Sequence, residues 1–407
     1  MEGIQIVTIE KLNPLYKKNE EANKVELVSF EENGFHVISQ KGLFSIGDRA
    51  VYIIPDFCVN DKEIFKEFIA PDGDESKSYL GKIEGKPRRI RAKKFSLSTV
   101  PNGEPTYSNG ILLPLTEVAE FLKVKPTDIV EMNEIKPEWL NSKLEITKYE
   151  EPEVIKNSNN GYFSKGLKEF PSGVYKTDET NINMLWNHIE KELTYPITLI
   201  GTEKIDGSSI SIGVIPEYPE GFIASRNIIK PLKLKKIIGR RKKTFLETLM
   251  FWRHSDLNIY DEIDNPDDFV RIGKYYLDLL LILKMENVIL RGELNGKGLR
   301  GSGNPNNPSV KNEPNIMFFN VDDYVNGVAI KKTYDEFIHF ADVWGLPRVP
   351  VLFEQSFSSR KHIENVCKKV FENIKKNEGR IIEGIVLNTT DKKFSVKFMN
   401  DEYDSKK

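Results

Sequence analysis

Hydrophobic and polar positions along the chain follow two regimes. From Lys24 to Leu115 short β-rich runs alternate with turns, as in Lys24-Val-Glu-Leu-Val-Ser and Arg49-Ala-Val-Tyr-Ile-Ile, a pattern that suits a small barrel. A polar stretch from Glu150 to Gly161, with Pro152 and Asn157-Ser-Asn-Asn160, reads as a linker. Beyond it Ile182, Leu185 and Ile189 share one face of a helix expected over Thr180 to Glu192, and Asp267 to Met285 reads as a longer helix. Four apolar runs then read as strands: Asn287–Leu294, Asn315–Val321, Arg380–Leu387 and Lys393–Phe398. The pattern predicts an α+β fold of antiparallel sheets with flanking helices, divided into a first unit (1–149), a linker (150–161) and a second unit (162–407).

Composition narrows the partners. A chain of 407 residues supports two cores without covalent staples. Its formal net charge of −2 excludes a globally basic binder, so contact with nucleic acid has to come from local clusters. Two exist: Arg88, Arg89 and Arg91 within Lys86–Lys94, and Lys235, Lys236, Arg240 and Arg241 within Lys230–Lys243. Cys58 and Cys367 stand far apart and the five histidines are scattered, so neither a disulfide framework nor a zinc site is expected. The N-terminus lacks the pattern of a signal peptide, and the most apolar run, Tyr275–Leu283, is broken by Asp278. A soluble, intracellular protein is therefore expected, with no membrane contact and no obligate protein partner. The match of Gly296-Lys-Gly298-Leu-Arg-Gly301 to a dinucleotide motif is set aside, because a Pro- and Asn-rich stretch follows where that motif needs a helix.

The candidate chemistry starts at Thr202-Glu203-Lys204-Ile205-Asp206-Gly207-Ser208, where a lysine stands beside a carboxylate in a turn that ends on glycine. A free lysine, with a pKa of about 10.4, is almost wholly protonated at neutral pH. To attack phosphorus its amine needs a site that lowers that pKa, by desolvation or by a nearby cation. K-x-D-G alone is a weak signal. Further pieces follow in order: Arg226 after a Gly-containing turn, Glu293 at the end of an apolar strand, the rings of Phe318 and Phe319, Glu383 inside an apolar run, and Lys397. They supply a nucleophile, carboxylates for a hard divalent cation, an aromatic face for a base and cations for phosphate. That inventory fits metal-assisted nucleotidyl transfer.

With these motifs, from Lys204 to Asn400, the chain resembles the covalent lysyl nucleotidyltransferase superfamily of ATP-dependent DNA and RNA ligases and mRNA-capping guanylyltransferases. The resemblance implies that Lys204 is the covalent nucleophile, flanked by Glu203 and Gly207 among the nucleotide contacts. It implies that Asp206, Glu293 and Glu383 organise Mg²⁺ or Mn²⁺, that Arg226 meets ribose or a nucleic-acid phosphate, and that Lys397 meets the α-phosphate. The purine would lie between Phe318 or Phe319 and Ile385 or Val386. Two more stretches point to RNA ligases. Phe170-Pro-Ser-Gly-Val-Tyr-Lys176-Thr177-Asp178-Glu179 resembles the opening of RNA ligase cores. Ile46–Asp56, Arg88–Arg91 and Ser108–Leu115 are similar to the N-terminal OB module of Naegleria-type RNA ligases. One departure stands out at Lys397-Phe398-Met399-Asn400: where such ligases have two lysines, either Met399 replaces the second, the alignment favoured because Asn400 then falls on the family asparagine, or Ser395 replaces the first.

The resulting expectation is an ATP-dependent RNA ligase with an OB-like nucleic-acid-binding unit followed by an adenylyltransferase core. It would join RNA 3′-hydroxyl and 5′-phosphate ends, nicked duplexes among them, through AMP held covalently on Lys204. The alternatives are a DNA ligase or a capping guanylyltransferase, which resemble one another in an OB domain after the last motif, where this chain stops at Lys407. A non-catalytic RNA-binding OB protein is the alternative from another class.

Overall fold

The structure is a computed structural model and describes residues 3–80, 88–149, 162–163, 168–184, 193–242, 256–299 and 304–404. The expected linker lies outside the described residues.

In the first unit a long strand, β1 (Ile4–Lys17), serves two partners. Ile4–Thr8 pairs with β4 (Arg49–Ile53), and Ile9–Lys17 pairs with β2 (Glu20–Phe30). Register shifts between Ile9 and Lys11 and between Pro14 and Tyr16 bend the strand, which is how one segment leaves one ladder for the next. With β3 (His36–Gln40) and β5 (Ile111–Pro114) the antiparallel order is β3-β2-β1-β4-β5. Three short helices that the sequence reading did not assign follow: α1 (Leu115–Leu122), α2 (Pro126–Ile135) and α3 (Glu138–Leu144). Their Val118, Ala119, Ile129, Leu140 and Leu144 close the core over Ile4, Ile9, Val28, Val51 and Ile53.

The second unit holds two larger antiparallel sheets. The first is built on β6 (Ile197–Lys204), which pairs with β14 (Val351–Phe357) on one side and β15 (Gly384–Asn388) on the other; β16 (Ser395–Met399) pairs with β15. Thr180–Asn181, expected to open a helix, instead adds a parallel edge strand to β16; residues 182–184 are helical, and 185–192, the rest of that expected helix, lie outside the described residues. The run Arg380–Leu387, expected as one strand, becomes a strand only at Gly384, which leaves Glu383 at its mouth. Helix α6 (Arg360–Glu378) covers this sheet. It is capped by Ser359, whose side chain accepts from the His362 N–H, and it stops at Gly379 in the left-handed region. Ile363, Cys367 and Ile374 meet Leu199, Phe357, Ile385, Leu387 and Phe398 below it.

The other sheet runs β8-β7-β11-β12-β13, extended beyond β8 by Ile228–Lys230 and Lys168–Glu169. Its strands are β7 (Ser208–Ile215), β8 (Tyr218–Ser225), β11 (Val288–Asn295), β12 (Asn315–Val325) and β13 (Val328–Lys331). A separate ladder pairs β9 (Lys233–Lys242) with β10 (Asp256–Asp264). The long helix expected near Asp267 is α4 (Asp268–Ile282), with Asp267 accepting from the Phe269 N–H. With α5 (Tyr334–Trp344) it covers one face of the sheet, over Ile210, Ile212, Leu290, Leu294, Ile316 and Phe318. Alternation puts Ser209, Ser211, Arg291 and Glu293 on the opposite face. No helix among the described residues is long and apolar enough to cross a membrane.

On that opposite face Arg291 and Asp322 form a fully buried pair, Nε to Oδ2 at 2.7 Å. Arg291 also donates to Ser211 Oγ (2.8 Å) and the Tyr175 carbonyl (3.0 Å), and Asp322 accepts from Tyr175 and Asn320. Removing one member strands the other charge away from water. Arg291→Leu is expected to lower unfolding free energy by about 3–5 kcal/mol, read from urea denaturation against wild type.

Candidate active site

Lys204 ends β6, and register places its surroundings. Lys204 stands opposite Gly384 and Thr202 opposite Val386, while Val386 stands opposite Lys397 on β16. Lys204, Thr202, Val386 and Lys397 therefore share one face of their sheet. Lys204 Nζ donates to Glu383 Oε2 at 2.6 Å. Asn400 holds that glutamate's backbone, donating its N–H to the Glu383 carbonyl at 2.9 Å and its side-chain amide to the Ile382 carbonyl at 3.0 Å. Asp206 is fixed in the turn by the Tyr403 hydroxyl, which donates to Oδ2 at 2.7 Å, and by the Asn307 amide on its carbonyl at 3.1 Å. Gly207 passes so close to β11 that a Cβ there would lie 2.4 Å from the Leu294 carbonyl oxygen and 3.0 Å from Glu293 Cγ. Glu293 stands opposite Ser209 on the neighbouring strand.

The electrostatics correct one expectation. Burial disfavours the Lys204 charge, but Glu383, Glu293 and Asp206 outweigh it and hold its pKa above that of an ordinary lysine. In the nucleotide-free chain Lys204 is an ammonium, not the neutral amine that attack requires. Glu293 is displaced as well, up to about 8, first by burial and then by Glu383 and Asp206, against the pull of Lys204 and Arg226. Even with Glu293 protonated below about 8, Glu383 and Asp206 face a single ammonium and the cluster is short of positive charge. Among the described residues no three His, Cys, Asp or Glu side chains converge as a ready ligand set, so the expected trio of Asp206, Glu293 and Glu383 does not form one. The Lys204 ammonium supplies the charge that a metal ion would supply, and the oxygen-only donors suit a hard divalent cation once the lysine is released.

A cationic group forms the other side. Arg226 Nη2 and Lys148 Nζ each lie 2.6 Å from Asp178 Oδ2, and Lys397 Nζ lies 3.5 Å from Oδ1. Burial alone would raise the Asp178 pKa; Lys397, Lys148 and Arg226 overcome it and bring it to about 2. Thr177 Oγ1 lies 2.7 Å from Ser209 Oγ, and Lys176 donates to Asn227 Oδ1 at 2.8 Å. Asp178 was legible as part of the Lys176-Thr177-Asp178 stretch but was not assigned to the site. Lys148, from the first unit, carried no sequence signal.

Other expected contacts do not reach the site. Phe318 is completely buried and meets Tyr276 edge-on at 4.8 Å, so its ring belongs to the core under α4. Ile385 is equally buried beneath α6. Phe319 and Val386, their neighbours, are half-buried. Alternation along β6 turns Glu203 away from Lys204; its carboxylate accepts from Arg380 at 2.6 Å. The first basic cluster is engaged in ion pairs. Arg89 binds Asp56 at 2.5 Å and lies 4.5 Å from the Tyr149 ring, and Arg88 lies 3.4 Å from Asp61. Arg91 is half-buried. The second cluster lies along β9, where the facing strand is acidic: Lys235 stands opposite Glu262 and Lys236 opposite Asp261, with Arg240 and Arg241 opposite Asn258 and Leu257. Lys235 and Lys236 thus face carboxylates across the ladder, whereas Arg240 and Arg241 face uncharged residues.

Comparison with known proteins bears on this geometry. Residues 197–399, from the start of β6 to the end of β16, match the family model described as RNA ligase. A comparison with curated protein sequences finds no match. Among solved structures the chain is similar to RNA ligase of Naegleria gruberi with pyrophosphate, at 19% identity and a TM-score of 0.65 over 99% of this chain and 98% of that one. It is also similar to a point mutant of that ligase with ATP and Mn (20%, TM-score 0.66, 99% and 98%) and to another with AMP and Mn (19%, 0.65, 99% and 98%). At such identities the likeness establishes a shared fold along nearly the full length of both chains. Through the segment that carries Lys204, Glu293, Glu383 and Lys397, the chain belongs to the RNA ligase family.

Proposed function

We propose that this RNA ligase uses ATP to join 3′-hydroxyl and 5′-phosphate RNA ends, with Lys204 as the covalent nucleophile. The observation that carries the reading is that Lys204 lies among the carboxylates of Glu383, Glu293 and Asp206, while Lys397, on the same sheet face, joins Arg226 and Lys148 around Asp178. A triphosphate needs both. The fold neighbours bound to ATP and Mn, AMP and Mn, or pyrophosphate support the same ligands here.

In the first step Lys204 Nζ attacks the α-phosphorus of ATP, a nitrogen–phosphorus bond forms, and pyrophosphate leaves. AMP then passes to an RNA 5′-phosphate, and a 3′-hydroxyl displaces it as the phosphodiester forms. A divalent cation, Mg²⁺ or Mn²⁺, held by Glu293, Glu383 and Asp206 would offset the charge on the α-phosphate. With those carboxylates neutralised, the groups that keep Lys204 protonated lose their hold, and burial alone favours the neutral amine. Lys397 and Arg226 hold phosphate oxygens, and the base lies between Phe319 and Val386. Residues 1–149 are read as an OB-like unit and 162–407 as the adenylyltransferase core. The separation of the cores supports that boundary, since one buried cluster runs from Ile4 to Ile146 and the others from Val174 to Phe398.

Lys204→Ala is expected to form no labelled adduct with α-labelled ATP, and Lys204→Arg is expected not to rescue it, because a guanidinium stays protonated. An adduct that maps to another lysine by mass spectrometry would contradict the assignment.

Metal affinity should depend on pH with a defined sign. Below about 8 the Glu293 carboxyl is protonated and a poor ligand; above it the carboxylate is free to bind. Mn²⁺ affinity measured by calorimetry is expected to rise with pH and flatten above about 8, and Glu293→Gln should remove that rise.

Gly207→Ala is expected to lower adenylylation by about 100-fold, read from adduct formation with α-labelled ATP. Its Cβ would push the turn off the Leu294 carbonyl and shift Lys204 relative to Glu293, and a displacement of about 1 Å is enough for such a loss.

A further inference from the structure

Lys392 is a buried lysine that the chemistry above leaves unused. It lies in the turn between β15 and β16, is 6% exposed, and has a φ of 53°, a left-handed conformation that glycine would adopt more readily. Its side chain crosses from one sheet of the second unit to the other. Nζ donates to the Phe319 carbonyl at 3.0 Å and to Asn320 Oδ1 at 2.6 Å, and lies 4.5 Å from the centre of the Phe337 ring.

The residue it grips is irregular. Gly292 stands opposite Phe318 and Arg291 opposite Asn320, so Phe319 is an extra residue in β12, a bulge. That extra residue keeps Phe318 and Val321 on the same face, in the core under α4 and α5. Phe319 itself is only half-buried and is not among the residues of that core. Bulges re-aim side chains, and the carbonyl of this one is held from outside its sheet. Asn320 in turn donates to Asp322 Oδ1 at 2.6 Å, which anchors the Lys392 contact in the buried Arg291–Asp322 pair. Burial, with Lys331 adding to it, brings the Lys392 pKa down to about 7. Ammonium and amine both donate to two acceptors, so the contact acts through its hydrogen bonds rather than its charge.

We propose that Lys392 is a positioning residue for the adenine base: it fixes the aim of the Phe319 ring and ties together the two sheets that carry Phe319 and Val386. The inference rests on the assignment of those two side chains to the base.

The test is a double-mutant cycle on the full-length protein, with affinity for the non-cleavable analogue α,β-methylene-ATP and for pyrophosphate read by calorimetry. Lys392→Met is expected to weaken the nucleotide analogue about tenfold, the equivalent of one lost positioned hydrogen bond, and to leave pyrophosphate, which has no base, unchanged. Phe319→Ala should weaken the analogue to a similar degree. Added to Phe319→Ala, Lys392→Met should have less than about a twofold further effect. Multiplicative effects, equal losses for both ligands, or a lowered melting temperature with unchanged analogue affinity would overturn the proposal. If the Met variant does not fold, Lys392→Gln, with a donor on a shorter stem, takes its place in the same cycle. Wild-type protein that binds the analogue yet forms no lysyl adduct with ATP would count against the covalent-ligase reading alone.

Discussion

The hydrogen bond between Lys204 and Glu383 joins the last residue of β6 to the residue just before β15, and both strands depend on the outcome. An ammonium and a carboxylate that are this buried are tolerated only as partners, so each fixes the position of the other. Glu383 is tethered further through Asn400, whose two donors bracket the start of β15. Lys204, Glu383 and Asn400 thus form one connected unit although nearly 200 residues separate the first from the last. The same bond sets the chemical problem of the site. A lysine held this way is a poor nucleophile, and the carboxylates that hold it are the groups suited to a metal ion. A divalent cation held by these carboxylates would take over the charge that Lys204 now supplies.

The two sheets of the second unit explain why the charges can face one another. Each buries one face under its own helices, α6 on one and α4 with α5 on the other, and each brings its functional side chains to the remaining face. Lys204, Val386 and Lys397 come from one sheet and Glu293, with Ser209 beside it, from the other. Such a cleft depends on the spacing between the sheets, and polar groups maintain that spacing. The Arg291–Asp322 pair stiffens one wall, and Lys392 spans the two.

Much of this was legible in the sequence because strand ends carry strong local signals. The runs around Glu293, Phe318 and Lys397 predicted strands that the structure contains, and the K-x-D-G turn falls between β6 and β7 as the pattern requires. What could not be read was set by pairing across the chain. Phe318 and Phe319 are indistinguishable in a linear pattern, and only the bulge opposite Gly292 decides which ring enters the core. That the basic run Lys233–Lys242 pairs with a strand carrying Asp261, Glu262 and Asp264 is likewise a matter of the ladder and not of the local pattern. The direction of the Lys204 pKa depends on three carboxylates that arrive from the turn beside it, from β11 and from the mouth of β15. Lys148 is an ordinary surface lysine by sequence and acquires a role only where the first unit meets Asp178.

Asp178 shows how the free chain remains stable with so much like charge gathered in one cleft. Lys148, Arg226 and Lys397 would repel one another if left bare, and a single carboxylate that touches all three removes most of that cost. Its depressed pKa means that this neutralisation persists to about pH 2 and is lost only below it, since protonation would return the cations to mutual repulsion. On the acidic side Lys204 does the corresponding work for Glu383. Each half of the site is therefore offset in part by one residue of opposite sign supplied from another element. A metal–nucleotide complex carries both signs in the required order, cation toward the carboxylates and phosphates toward the lysines and arginine. It can replace both internal partners together, whereas a bare anion or a bare cation would relieve one half and leave the other unchanged.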